Sequence, residues 1–358
     1  MSKIIIIDTS IVPDEIHCRS FKKYDLLDGK DENSSLAYSH GTICAQILDG
    51  LTSDYELISI QVLPNIEKST GKPRGHIEDL KKALELSHHL NADIICMSAV
   101  SSILSDSKII YDVTKQVSEK SFIISALDNQ NYITVPTCYP FVVGVRSDRK
   151  NRLCPGEVAY SHSKSYYTDI YANCNLKILN DLGFSLSNSF AVPVVAAKLN
   201  DFLNRGKNTW EDFVKEISNA NAIYEAENNL VFKQKVPIVI AYSLKHDPVY
   251  ELCQVIMDEM YDRYSVQTSC LCMEEGPYDV RFKKIVSLKT DLTFMQEHYK
   301  TDLIFVTVRQ DEIINVTRNI PADIVMCVDR EASFIYHQNK YIKSDFKDLS
   351  AKLYQALT

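Results

Sequence analysis

Short unbroken apolar runs alternate along this chain with stretches in which apolar positions recur every three or four residues. The first run, Ile4-Ile5-Ile6-Ile7, is β-branched throughout and stops at Asp8, the pattern of a strand buried on both faces. Tyr55 to Leu63, Ala92 to Ser98 and Ser121 to Ala126 repeat it. Between them, Ile77 to Leu90 and Lys108 to Lys120 have helical spacing, and His40 to Leu48 predicts an apolar helix. Val12 to Ser35, with Lys22, Lys23, Asp28, Lys30, Asp31 and Glu32, is polar and irregular and predicts a surface loop. Ser187 to Ala197 predicts a buried helix with Ser189 at its start and Pro193 in its first turn, where a missing N–H costs nothing; it continues to Leu203 and stops near Gly206. Thr209 to Asn219, with Trp210 and Phe213 on its apolar side, predicts one more helix. Strands alternating with helices predict a parallel sheet with right-handed crossovers and helices on both faces.

Glu225 to Gln234 is polar with little periodicity, and the alternation then begins again. The expected division is a domain over 1–227, a linker over 228–235 and a smaller α/β domain over 236–358, with a Rossmann-like or P-loop-like order. Its strands are expected at Val236 to Tyr242, Val266 to Met273, Asp302 to Val308 and Ile324 to Asp329, with a polar turn at Glu274-Glu275-Gly276-Pro277. Its helices are expected at Pro248 to Tyr264, Asp291 to Lys300 and Phe346 to Leu357. The loop Tyr242-Ser243-Leu244-Lys245-His246-Asp247 sits where a phosphate cradle would be. It holds no glycine and no Gly-Lys-Ser/Thr ending, so no nucleotide cofactor is expected.

Composition narrows this picture. A chain of 358 residues is long enough to bury two cores. A formal charge of −8, without a basic cluster carrying interleaved aromatics, argues against a nucleic-acid partner. The ten cysteines are scattered without CxxC pairs, so they predict reduced thiols and no zinc site. No compact run of oxygen ligands predicts calcium, and no apolar run reaches bilayer length. No signal core precedes the first strand, so a cytoplasmic protein is expected.

Three positions invite chemistry. Asp8 lies at the carboxyl end of a strand, the edge where open α/β sheets bind ligands. His40 opens a helix beside Gly41, and Ser189 opens another, where free N–H groups and the helix dipole favour a developing anion. Each alone has a plainer explanation as a turn former or a helix cap.

Taken together, five blocks resemble the subtilases, the subtilisin-like serine peptidases, over about Lys3 to Ala222. Asp8-Thr9-Ser10 matches the family's Asp-Thr-Gly, and His40-Gly41-Thr42-Ile43 its His-Gly-Thr-His. Cys96-Met97-Ser98 matches Asn-Met-Ser. Ser125-Ala126-Leu127-Asp128-Asn129 matches Ala-Ala-Gly-Asn and is followed by a family-like Pro136 to Val145. Ser187-Asn188-Ser189-Phe190-Ala191-Val192-Pro193 matches Gly-Thr-Ser-x-Ala-x-Pro. The resemblance implies a subtilisin-like domain in which Ser189 is the nucleophile, His40 the general base, Asp8 its orienting carboxylate and Asn129 an oxyanion donor. It implies a cleft formed by Ser98, Ala99, Val100, Ser125, Ala126, Leu127 and Asp128. It implies no metal or cofactor in the reaction and a peptide or protein partner, such as a ribosomally made precursor. Because the chain opens on its first strand, the likeness is to intracellular members without a prosegment, and to limited processing such as leader removal.

Departures accompany the likeness. Ser187-Asn188 stands where the family has Gly-Thr, adding a Cβ at a tight position, and Asp128 stands where it has glycine. An ionised Asp128 would favour a basic residue before the scissile bond, whereas a turn-capping Asp128 would not. A different class stays open beside the peptidase: a catalytically degenerate, peptide-binding or scaffolding protein on the same fold.

Overall fold

The computed structural model of the chain describes residues 1–27, 39–64, 74–161, 167–218, 236–245, 248–273, 279–338 and 340–358. These fall into two units, one holding the described residues of 1–101 and 109–218, the other those of 102–108 and 236–358. The expected linker, the turn at Glu274 to Pro277 and His246 and Asp247 lie outside the described residues.

In the first unit the chain runs through β1 (Ser2–Asp8), β2 (Ser20–Asp25), α1 (His40–Asp49), β3 (Tyr55–Gln61), α2 (Ile77–Leu90), β4 (Ile94–Met97), α3 (Ser107–Ser118) and β5 (Phe122–Ala126). It continues through β6 (Val143–Ser147), β7 (Val158–Tyr160), β8 (Ile170–Ala172), α4 (Lys177–Asp181), α5 (Asn188–Asn204) and α6 (Trp210–Ser218). The sheet has the order β2-β3-β1-β4-β5-β6-β8-β7, parallel except between β7 and β8.

Residues Ile4 to Ile7 of β1 pair with Leu57 to Ile60 on one side and Ile94 to Met97 on the other, which is why that strand carries apolar residues on both faces. Ile4, Ile6, Cys96, Ile124 and Val145 form one core with Ile43 and Ile47 of α1 and with Ala191, Val194 and Val195 of α5. The alternate residues Ile5, Ile7, Ile95, Met97 and Ile123 are buried on the opposite face. The polar segment expected to be a loop contains β2. Its alternating, mostly exposed pattern is that of an edge strand, which carries lysines without loss because only one flank must pair.

In the second unit the chain forms β9 (Ile238–Tyr242), α7 (Val249–Tyr264), β10 (Thr268–Cys272), β11 (Phe282–Lys284), α8 (Leu288–His298) and β12 (Leu303–Thr307). Then follow α9 (Ile313–Asn319), β13 (Ile324–Cys327), β14 (Ser333–His337), β15 (Lys340–Ser344) and α10 (Leu349–Leu357). The sheet order is β11-β10-β12-β9-β13-β14-β15, parallel up to β13 and antiparallel through the terminal hairpin. It therefore sets β12 between β10 and β9, where a Rossmann order joins the first strand to the second. Cys253, Ile256 and Met260 of α7 and Leu349 and Leu353 of α10 bury Val239, Ala241, Phe305 and Met326.

Candidate active site

The carboxyl edge of the first sheet brings Asp8 and His40 together. Asp8 is the last residue of β1 and fully buried; His40 is the first of α1. The helix starts there because Ser39 is extended and its hydroxyl accepts from Thr42 N at 3.2 Å, while also donating to Ser10 O. Gly41 lets the helix meet the strand end: its N–H donates to Thr9 Oγ1 at 2.8 Å, and a Cβ there would collide with the Thr9 carbonyl oxygen. With helix and strand pressed together, His40 Nδ1 lies 2.8 and 2.9 Å from the two Asp8 carboxylate oxygens. Asp8 Oδ1 also accepts from Thr9 N at 2.7 Å.

Burial disfavours a charged imidazole, yet the Asp8 carboxylate opposes it by charge and by hydrogen bond, with Cys44 in support. The result holds the His40 pKa well above its ordinary value. Nδ1 thus carries the proton facing Asp8, and Nε2 is the nitrogen left to act as base. Phe190 stacks on the imidazole with ring centroids 5.0 Å apart. Cys44, one helical turn after His40, lies 3.8 Å from Nδ1 and 4.0 Å from Ser189 O. Burial pushes its thiol pKa up, so it stays protonated near neutrality. Asp8, His40 and Cys44 present ligand atoms within 4.8 Å of one another, a donor set that also suits a thiophilic cation. Its i, i+4 relation to His40 is a signal that the sequence carried and that a search for CxxC spacing passes over.

Ser189 is the second residue of α5 and half-buried. Among the described residues its hydroxyl makes no hydrogen bond to His40, and its backbone N–H has no partner. Ser187, the helix N-cap, has φ −138°, extended backbone that serine adopts freely, so the departure from glycine adds no strain. Asn188 is the residue whose role the sequence hid. Its buried amide accepts from Ser147 N at 2.9 Å and donates to Leu127 O at 2.9 Å and Asp128 O at 3.1 Å. Its own N–H donates to Asn129 Oδ1 at 2.9 Å. One side chain therefore ties the start of α5 to the ends of β5 and β6.

The residues expected to line the cleft divide. Ser98, Ala99 and Val100 are half-buried after β4, but Ser101 beyond them pairs in both directions with the backbone of Val135. Ser125, Ala126 and Leu127 are 0, 2 and 4% exposed, and Ser125 Oγ lies 2.8 Å from Thr137 Oγ1. Their side chains are packed into the unit. Asp128 accepts from Gln130 N at 2.6 Å and lacks a positive φ, the geometry of a turn-capping aspartate.

A crevice of about 680 Å³ lies at the carboxyl edge of the second sheet, lined by Ser243, Tyr250, Met273, Thr307, Arg309 and Asp311 among others. There the helices after β9 and β12 depart in opposite directions, a topological switch point. Ser243 Oγ donates to the buried Asp329 at 2.6 Å, and no histidine among the described residues lines the crevice.

None of the ten cysteines is in a disulfide, and no helix among the described residues is long and apolar enough to cross a membrane. Neither a protein-family model nor a curated protein matches the chain. The solved structure of the prenylagaramide maturation protease PagA is similar at 17% identity, with 57% of this chain and 77% of that one covered and a TM-score of 0.37.

Proposed function

We propose that this chain is a subtilase-like serine endopeptidase that cuts peptide bonds through Asp8, His40 and Ser189. The observation that carries the proposal is the hydrogen-bonded pair of the buried Asp8 carboxylate and the half-buried His40 imidazole at the carboxyl edge of the sheet, with the imidazole stacked on the residue that follows Ser189. Ser189 Oγ attacks the carbonyl carbon while His40 Nε2 takes its proton, and Asp8 stabilises the imidazolium. The Ser189 N–H and the Asn129 amide receive the oxyanion. His40 then returns the proton to the leaving amine, and water repeats the sequence to release the acyl group.

The backbone pairing of Ser101 with Val135 supports a restricted cleft, and hence limited processing such as removal of a leader from a precursor peptide. Ten cysteines without a disulfide suit a reducing, cytoplasmic setting. A second reading, a binding protein on the same fold, is favoured by the missing hydrogen bond between Ser189 and His40. Intact-mass analysis after a fluorophosphonate probe separates the two. One adduct on the wild type and none on Ser189→Ala supports the peptidase, whereas a folded wild type without adduct supports the binding protein.

A further inference from the structure

Arg149 follows β6 in a loop that Asp148 organises. The buried Asp148 carboxylate accepts from Lys150 N at 3.2 Å and Leu153 N at 2.8 Å, and Arg149 N donates back to Ser147 O at 3.0 Å. This turn aims the exposed guanidinium at Asn129: Nη2 lies 3.0 Å from Asn129 Oδ1 and 3.2 Å from Asn129 O. Among the described residues Arg149 has no carboxylate partner, so its charge is not neutralised locally.

Asn129 Oδ1 consequently has two donors, Asn188 N at 2.9 Å and Arg149 Nη2 at 3.0 Å. An amide oxygen has two acceptor sites, and both are filled. The flipped amide would set an NH₂ group against two donors, so chemistry fixes which atom is oxygen. Nδ2, which has no partner among the described residues, is left to donate outward. A cationic donor on Oδ1 also polarises the amide and strengthens its N–H as a donor.

We infer that Arg149 is a positioning residue for Asn129, holding and polarising its amide so that Nδ2 donates to an oxyanion formed beside Ser189. The inference rests on the peptidase proposal for its chemistry, but its geometry is independent of turnover. Being exposed and unpaired with acids, Arg149 can be changed without opening a core.

The test uses the full chain and the rate of phosphonylation by a fluorophosphonate, whose transition state also places negative charge on an oxygen. Arg149→Met is expected to lower the saturating labelling rate roughly tenfold with little change in the probe concentration for half-saturation, and Arg149→Lys to restore part of it. In an Asn129→Ala background, Arg149→Met should add less than about twofold, because the effect passes through Asn129. Labelling of Arg149→Met at the wild-type rate, or losses that multiply in the double variant, would overturn the inference. The side-chain ¹⁵N–¹H signals of Asn129 give a readout free of catalysis: they should shift in Arg149→Met, and unmoved signals would also overturn it. A wild type that takes no label while those signals shift fells the peptidase proposal and leaves the positioning of Asn129 standing.

Discussion

Both units are largely parallel sheets whose strands end at an edge faced by helix N-termini, yet among the described residues only the first edge pairs a buried acid with an imidazole. There the strand-end acid is fully buried and bonded to an imidazole, while the hydroxyl of Ser189 remains uncommitted. At the second edge the hydroxyl of Ser243 is committed to the buried acid Asp329, and no imidazole stands among the described lining residues. The same architecture thus yields a crevice in one case and a candidate nucleophile in the other. What decides is whether the buried carboxylate spends its hydrogen bonds on a base or on the hydroxyl itself.

The largest expected effect breaks the first edge at its acid. Asp8→Asn keeps the size of the side chain but removes the charge that stabilises an imidazolium, and should slow labelling and turnover by on the order of ten-thousandfold. The pH dependence sharpens the point. His40 must be neutral to act as base, and its pKa is raised, so the acid limb of wild-type labelling should lie above the ordinary histidine value and move down in Asp8→Asn. Stability follows with the opposite sign. A raised folded pKa means that the pair stabilises fully below the unfolded histidine pKa and loses this as pH rises through the folded value. Denaturant melts of wild type and Asp8→Asn should therefore diverge most under mildly acidic conditions and converge at higher pH; parallel curves would contradict the pairing.

A smaller effect is expected where the edge is tied together. Asn188→Ala leaves Ser147 N and the Leu127 and Asp128 carbonyls without their side-chain partner, at a cost of about 1–3 kcal/mol in unfolding free energy. Labelling at Ser189 should slow as well, since the same residue's backbone holds Asn129. Unchanged stability would mean that water replaces those bonds and that the tie is dispensable.

How much of this could be read in advance depends on whether burial or a loop sets each position. The four isoleucines of β1 announce a central strand because burial on both faces leaves no room for alternation, and Asp8 follows as its end. β2 and β15 carry exposed, charged positions on edge strands, where pairing on one flank needs little apolar surface, so the sequence reads β2 as a loop and gives no strand signal at β15. Asn188 reads as a departure because the matched motif has threonine there, and its four bonds reach residues about 41 to 61 positions away that no local pattern connects. Arg149 is more hidden still, since its aim depends on the turn that Asp148 builds. Ser187 and Asp128 stand where the resembled family has glycine, yet Ser187 is extended and Asp128 has no positive φ, which burial and periodicity cannot show in advance.

The smallest effect on the chemistry should come from the second edge, and it tests whether the comparison holds at all. Ser243 is 5% exposed and Asp329 4%, and the donated hydrogen bond at 2.6 Å is joined on the carboxylate by Cys327 Sγ at 3.4 Å. Ser243→Ala removes the stronger donor from a buried carboxylate and should destabilise the second unit by about 1–3 kcal/mol, measured by denaturant unfolding. Because this hydroxyl is already occupied, it offers no nucleophile, and labelling of the variant at Ser189 should equal that of the wild type. A second adduct on the wild type that disappears in Ser243→Ala would reverse the comparison: the crevice would then hold a reactive hydroxyl, with Asp329 serving as its base rather than merely its anchor.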